Sequence, residues 1–201
     1  MSNDNRTAGA MVCVWMDVDR NYDEELNDWY ETEHVHDIVG IDGFLSGRRY
    51  YDDTHRLRYL VLYEARDASV EPGPGFQGAV ARPTKWTERI RRLFGENRRR
   101  SNFRLLAEAG TPVDAPAIVT VDRKGLAEPA EAEERRAASA GCIRYRSYVD
   151  VNAADAGFEI FEYVDKASAT KAIENLRAET RNEVSMRLAI GVPHFHRAVN
   201  V

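Results

Sequence analysis

The chain has 201 residues, with 28 Lys and Arg against 33 Asp and Glu for a formal net charge of −5, 43% hydrophobic residues and 30% charged ones. A chain of this length buries roughly 70% of the surface its unfolded form exposes, so it needs neither a disulfide nor a metal as a staple, and the composition excludes collagen-like, disulfide-rich and disordered classes. The acidic balance argues against a nucleic-acid partner, and no stretch approaches the ~20 apolar residues of a membrane span.

Residues 1–8 read as a flexible tail. The apolar run Ala8 to Met16 lacks a basic n-region and a following cleavage site, so it reads as a strand and the protein is expected to be cytoplasmic. Cys13 and Cys142, far apart and without CxxC spacing, fit two buried thiols in a reducing compartment. Val12, Val14, Met16 and Val18 alternate with Cys13, Trp15 and Asp17, giving the strand two unlike faces. Asn21 followed by Glu24 resembles a capping box for a helix running to about Val39, with Gly40 as its stop. Phe44 to Tyr51 and Arg58 to Ala65 read as strands joined by the turn Asp52-Asp53-Thr54-His55. Glu71-Pro72-Gly73-Pro74-Gly75 reads as loop, Thr84 to Phe94 as a helix striped by Trp86, Ile90, Leu93 and Phe94, and Phe103 to Ala107 as a fourth strand. The order is βαββαβ.

An internal repeat follows at an offset of 98 residues: Gly43, Arg48, Tyr50, Asp52, Glu64 and Asp67 fall on Gly141, Arg146, Tyr148, Asp150, Glu162 and Asp165. Upstream, Asp17 matches Asp122 at the close of Ala117 to Val121. Downstream, Ala169, Ala172, Ile173 and Leu176 form a helix stripe and Val184 to Ile190 reads as the last strand. The second copy is thus also βαββαβ. The expected fold is α+β: two tandem ferredoxin-like units, 9–110 and 115–201, packed sheet to sheet as an intrachain α/β barrel, with a linker near Gly110 to Ala115.

The first helix carries the most chemical information. On an α-helical wheel centred on Leu26, the residues Tyr22, Trp29, Tyr30, Glu33 and Asp37 fall within about 60° of it and His34 about 80° away. Carboxylates therefore sit on the apolar face, where an unpaired one costs several kcal/mol or shifts its pKa. A buried ion pair with Arg48 or Arg49 would compensate, and so would a functional cavity. The aromatic neighbours and the adjacent histidine point to the cavity.

The run Asn27-Asp28-Trp29-Tyr30-Glu31-Thr32-Glu33-His34, then Gly43-Phe44, then Arg48-Arg49-Tyr50, resembles the N-x-W-Y-x-x-E-H … G-F … R-Y signature of EthD-like proteins in the dimeric α/β-barrel superfamily. That resemblance implies a pocket between helix and sheet with the histidine as a functional group. It spans activities from cofactor-free monooxygenases and cyclases to muconolactone-type isomerases and accessory proteins, and includes haem-binding branches. Two departures stand out. Relatives are mostly single units that dimerise, whereas this chain carries two. The second unit lacks W-Y-x-x-E-H, its matching helix reading Glu128-Pro129-Ala130-Glu131 onward, so one working pocket is expected, in the first unit, with the second as scaffold.

His34 can exchange a proton near neutral pH, and Glu33 or Asp37 would raise its basicity and orient it; Tyr30 completes the expected catalytic set. Arg48 and Tyr50, two apart on a strand, could hold a carboxylate, phenolate or enolate, although Arg146 and Tyr148 repeat the pair in the half without the histidine. Trp15, Trp29, Tyr63 and Trp86 offer aromatic walls for a flat substrate, or ordinary core. His194 and His196 have the spacing of some metal sites without acidic or Cys neighbours, so no metal is expected. The basic run Arg82 to Arg104 reads as solvated helix and loop.

These features lead to the expectation of a cofactor-independent enzyme, an isomerase, lyase or monooxygenase, that acts on a small aromatic or cyclic carbonyl metabolite by His34-centred proton transfer. The alternatives are a non-catalytic binding or accessory protein and, through His34 or His196, a haem protein. The expected partner is a small molecule, with a homodimer as an option and neither nucleic acid nor membrane.

Overall fold

In a computed structural model, residues 8–179, 184–192 and 196–197 are described. The fold is mixed α+β, and the chain divides into two compact units. One comprises the chain up to Arg49, Arg56–Asn102 and residues 196–197; the other comprises Tyr50–His55 and Phe103 up to residue 192. Among the described residues no helix is long and apolar enough to cross a membrane.

The alternating residues of the first strand form β1 (Ala10–Met16), after which a 3-10 turn (Arg20–Tyr22) leads into α1 (Asp23–Trp29). The helix the sequence predicts to Val39 is continuous in path but not in type. Tyr30–His34 is a π turn, and α2 (Val35–Val39) then runs to Gly40. Hairpin strands β2 (Phe44–Tyr51) and β3 (Tyr59–Ala65) follow. β3 lies antiparallel to β1, with Val12 opposite Tyr63 and Met16 opposite Tyr59. In the first unit the strand order is β2-β3-β1-β4, with β4 (Arg98–Gly110) starting there.

Two expectations are corrected in this unit. The Pro-Gly segment is not all loop: Gly73 caps α3 (Pro74–Ala81), whose first residue is Pro74. Proline is tolerated at that position because its missing N–H would have had no partner anyway, and Phe76 anchors the helix in the core. The other correction is that β4 begins at Arg98 rather than Phe103. The helix α4 (Lys85–Phe94) lies where predicted, with Thr84 accepting from the Thr87 N–H as its cap.

Arg58 fixes the entry of α1. This buried guanidinium lies 2.7 Å from Asp17 and 2.7 Å from Asp23 and donates to the Val18 carbonyl at 2.7 Å. It thereby joins the end of β1, the start of β3 and the first turn of α1, and its charge is compensated by two carboxylates.

The second unit contains the rest of β4, β5 (Ala117–Lys124), α5 (Ala132–Ala138), β6 (Cys142–Asp150), β7 (Ala153–Tyr163), α6 (Lys166–Glu179) and β8 (Val184–Gly191). Its strand order β6-β7-β5-β8 again runs second, third, first, fourth. β5 pairs antiparallel with both β7 and β8, Val119 facing Phe161 on one side and Leu188 on the other. Val119, Tyr145, Phe161, Ala169, Ala172 and Ile173 pack into one apolar cluster. Buried Glu159 accepts from Tyr145 Oη at 2.6 Å and pairs with Arg135 at 2.7 Å. A last short strand, β9 (His196–Arg197), belongs to the first unit and pairs with β2 at Ser46 and Gly47. Of the expected tail only Ala8 lies within the described residues, and it is buried.

Candidate functional site

The π turn sets the geometry of the site. Its defining bond runs from the Val35 N–H back to the Tyr30 carbonyl, five residues rather than four. In such a turn, residues five apart sit above one another. Trp29 and His34, about 140° apart on an α-helical wheel, are therefore stacked, with ring centroids 4.0 Å apart and planes at 14°. Tyr30 meets the His34 ring edge-on at 5.4 Å. π turns of this kind inside α-helices are frequent at functional sites.

A cavity of about 620 Å³ opens beside these rings, and all of its lining belongs to the first unit. Val12, Val14 and Met16 from one face of β1 form its floor, with Tyr63 of β3. Trp29, Tyr30, His34 and Asp37 come from the helix, Phe76 and Val80 from α3, and Thr84, Thr87 and Arg91 from the α4 region. The volume is in the range of pockets that enclose a small organic ligand.

His34 is half-buried, open to the cavity yet surrounded by protein. Burial, then the nearby Arg91 charge, lower its pKa to about 3. This reverses the expectation that a neighbouring carboxylate would raise its basicity. Glu33 is engaged elsewhere: it accepts from Thr84 Oγ1 at 2.6 Å, Thr87 Oγ1 at 2.9 Å and Trp29 Nε1 at 3.3 Å. Its charge lies at the N-terminus of α4, where the helix dipole favours an anion. Glu33 thus positions Trp29, whose Nε1 also donates to Thr87 Oγ1 at 3.0 Å. Asp37 lines the cavity, and its pKa is raised by burial and by the Glu33 charge. Tyr30 is fully buried and donates to Met16 Sδ at 3.1 Å, and burial pushes its hydroxyl pKa far up. The Tyr63 hydroxyl, its pKa also raised well above the ordinary value by burial, is buried with no hydrogen-bond partner among the described residues.

The remaining expected contacts lie apart from the cavity lining. Trp15 is on the opposite face of β1, under the Arg99 guanidinium at 4.3 Å. Trp86 is half-buried on α4 and hydrogen-bonds toward Glu25. Arg48 and Tyr50 share a strand parity that does not reach the lining, and the Tyr50 hydroxyl donates to the Ala115 carbonyl at 3.2 Å. Arg49, of the other parity, faces the helix. It donates to Asn27 Oδ1 and lies over the Tyr30 ring at 4.4 Å. Gly47 shares that face, where a Cβ would meet the Tyr63 ring and the Val35 side chain at 3.0 Å, so the strand can approach this closely only with glycine.

What the sequence reading missed is the basic side of the cavity. Arg82, Arg91, Arg98 and Arg100 all line it, although their run reads as solvated. His194 and the side chain of His196 lie outside the described residues. Among the described residues no group of three or more His, Cys, Asp or Glu is placed to hold a metal.

No protein-family model matches the chain, and no curated protein does. Solved structures share its fold. An anthrone oxidase-like protein superposes with a TM-score of 0.60 at 13% identity, over 95% of this chain and 93% of that one. A candidate monooxygenase from Lactobacillus acidophilus gives 0.58 at 13% identity, over 94% and 96%. Another from Fusobacterium nucleatum gives 0.56 at 11%, over 96% and 97%. At these identities the likeness is one of fold.

Proposed function

We propose that the chain is a cofactor-independent enzyme acting on a small aromatic or cyclic carbonyl metabolite by proton transfer centred on His34. In this reading it is an EthD-like protein of two fused ferredoxin-like units, 9–110 and 115–201, forming an intrachain α/β barrel in the cytoplasm, with the second unit as scaffold. The observation that carries the reading is the His34 imidazole, clamped flat on Trp29 and open to the cavity.

The lowered pKa keeps the imidazole neutral at physiological pH, so a ring nitrogen is free to accept a proton. In the transfer, the substrate C–H bond next to its carbonyl breaks, an N–H bond forms on His34, and the electron pair moves to the carbonyl oxygen as an enolate. Imidazolium and enolate are then neighbouring opposite charges, and each offsets the cost of burying the other. Arg91, already felt electrostatically at His34, would stabilise the enolate oxygen. Weak intrinsic basicity also supports a second reading, in which the pocket binds a metabolite and a neutral His34 serves as a hydrogen-bonding wall.

Hydrogen–deuterium exchange separates the two. Anthrone and 2-tetralone are flat cyclic ketones with an exchangeable C–H beside or conjugated to the carbonyl. In deuterated buffer the protein should accelerate their exchange, and His34→Ala should lower kcat/KM by about 10² to 10⁴. An acceleration unchanged in H34A would overturn the catalytic assignment.

A further inference from the structure

We infer that the basic side of the first unit's cavity, formed by Arg91, Arg98 and Arg100, binds a carboxylate on the ligand, so that the substrate class is an aromatic or cyclic carboxylate. This rests on the reading of that cavity as the functional site and adds the substrate's charge to it.

The argument begins with strand parity. Arg98 and Arg100 are two apart in β4 and share the face that lines the cavity, while Arg99 between them turns the other way, over Trp15. The two guanidinium groups lie over aromatic rings of the lining, Arg98 over Phe94 at 5.6 Å and Arg100 over Phe76 at 5.2 Å. Those contacts hold the charges at the cavity wall. Arg91 is positioned from α4 by a 3.1 Å hydrogen bond from Nη1 to the Val80 carbonyl, a neutral acceptor.

Carboxylate compensation on this side is sparse. Arg100 pairs with Glu71 at 3.0 Å, whereas Arg91 and Arg98 form no ion pair with a described residue. The groups repel: burial, then Arg98 and Arg100, lower the Arg91 pKa, opposed by Glu88. Among the described residues the only carboxylate lining the cavity is Asp37. Like charges gathered at a partly desolvated wall favour the entry of an anion, and Arg forks match a carboxylate geometrically. The adjoining floor is apolar, since β1 neighbours β4 and brings Val12 and Val14 beside the arginines on the same sheet face, and the Tyr63 hydroxyl, with no hydrogen-bond partner among the described residues, is a neutral hydrogen-bonding group. A flat ring bearing one carboxylate satisfies both the apolar floor and the arginines.

The test compares 2-naphthoate with 2-naphthamide, which has the same shape without the charge, using the full chain. Affinity is measured by calorimetry, and occupancy by the NMR signals of the His34 ring. Both ligands should move the His34 signals. Naphthoate should bind about tenfold more tightly, the worth of one charge-assisted hydrogen bond, and the advantage should shrink in high salt. R98Q/R100Q, at two exposed positions, should abolish the advantage by lowering the naphthoate affinity to that of naphthamide, with each single variant giving part of the loss. Equal affinities in the wild-type protein, or an advantage that survives R98Q/R100Q, would overturn the carboxylate site while leaving the cavity reading intact. If neither ligand moves the His34 signals, the cavity reading itself fails.

Discussion

His34 shows how burial sets the chemistry of a single side chain. An imidazole whose pKa falls from 6.5 to about 3 stays neutral in the folded chain, while the unfolded chain takes up its proton at ordinary histidine pH. Between those values the unfolded state binds more protons, so this group's contribution to stability is complete above about pH 6.5 and is lost progressively as the pH falls toward 3. Urea unfolding midpoints measured across that window should fall more steeply for the wild-type protein than for His34→Gln. Parallel slopes would mean that His34 titrates as an exposed histidine. The sequence made the identity of the group legible through its W-Y-x-x-E-H context, but not its partners. The sequence places Glu33 to orient the imidazole, and its oxygen is instead taken up by neighbouring Trp29 and by Thr84 and Thr87, the last two more than fifty residues away, which no local pattern encodes.

At the scale of the element, the π turn and β4 explain most of what pattern reading missed. Periodicity assumes one residue spacing per turn, and the five-residue turn at Tyr30–His34 breaks it where the site is built, turning a separation on the wheel into a ring stack. The start of β4 was hidden for a different reason. Arg98-Arg99-Arg100 has no apolar alternation, yet its period of two sends Arg98 and Arg100 to the cavity and Arg99 to Trp15. By contrast β1, β3 and β5 were legible from short apolar runs buried on both faces, and α4 from its single apolar stripe. The helix carrying the site depends on Arg58, whose two carboxylate partners bracket the start of α1. Arg58→Ala leaves Asp17 and Asp23 without their counter-charge and should cost about 3–5 kcal/mol. Chemical denaturation measures the loss, and a change below about 1 kcal/mol would show that the triad does not fix the helix.

Across the whole molecule, the two compact units have the same strand order, with bounds that differ from the 9–110 and 115–201 of the sequence reading. The first surrounds a cavity with His34 and arginines; the second has an apolar cluster around Val119, Tyr145 and Phe161 and ion pairs such as Glu159 with Arg135. Confinement of the site to the first unit has a thermodynamic consequence. Glu159→Gln should lower stability by about 2 kcal/mol by weakening the charge-assisted bonds from Tyr145 and half-buried Arg135, yet leave the affinity of the folded protein for 2-naphthamide unchanged. A parallel loss of affinity, seen by calorimetry well below the unfolding transition, would place part of the site outside the first unit. The most direct measurement is a crystal structure of the chain with 2-naphthoate. Density for the ring beside the stacked Trp29 and His34, with the carboxylate toward Arg98 and Arg100, is the expected result; an empty cavity with the ligand bound elsewhere would contradict the assignment of the site.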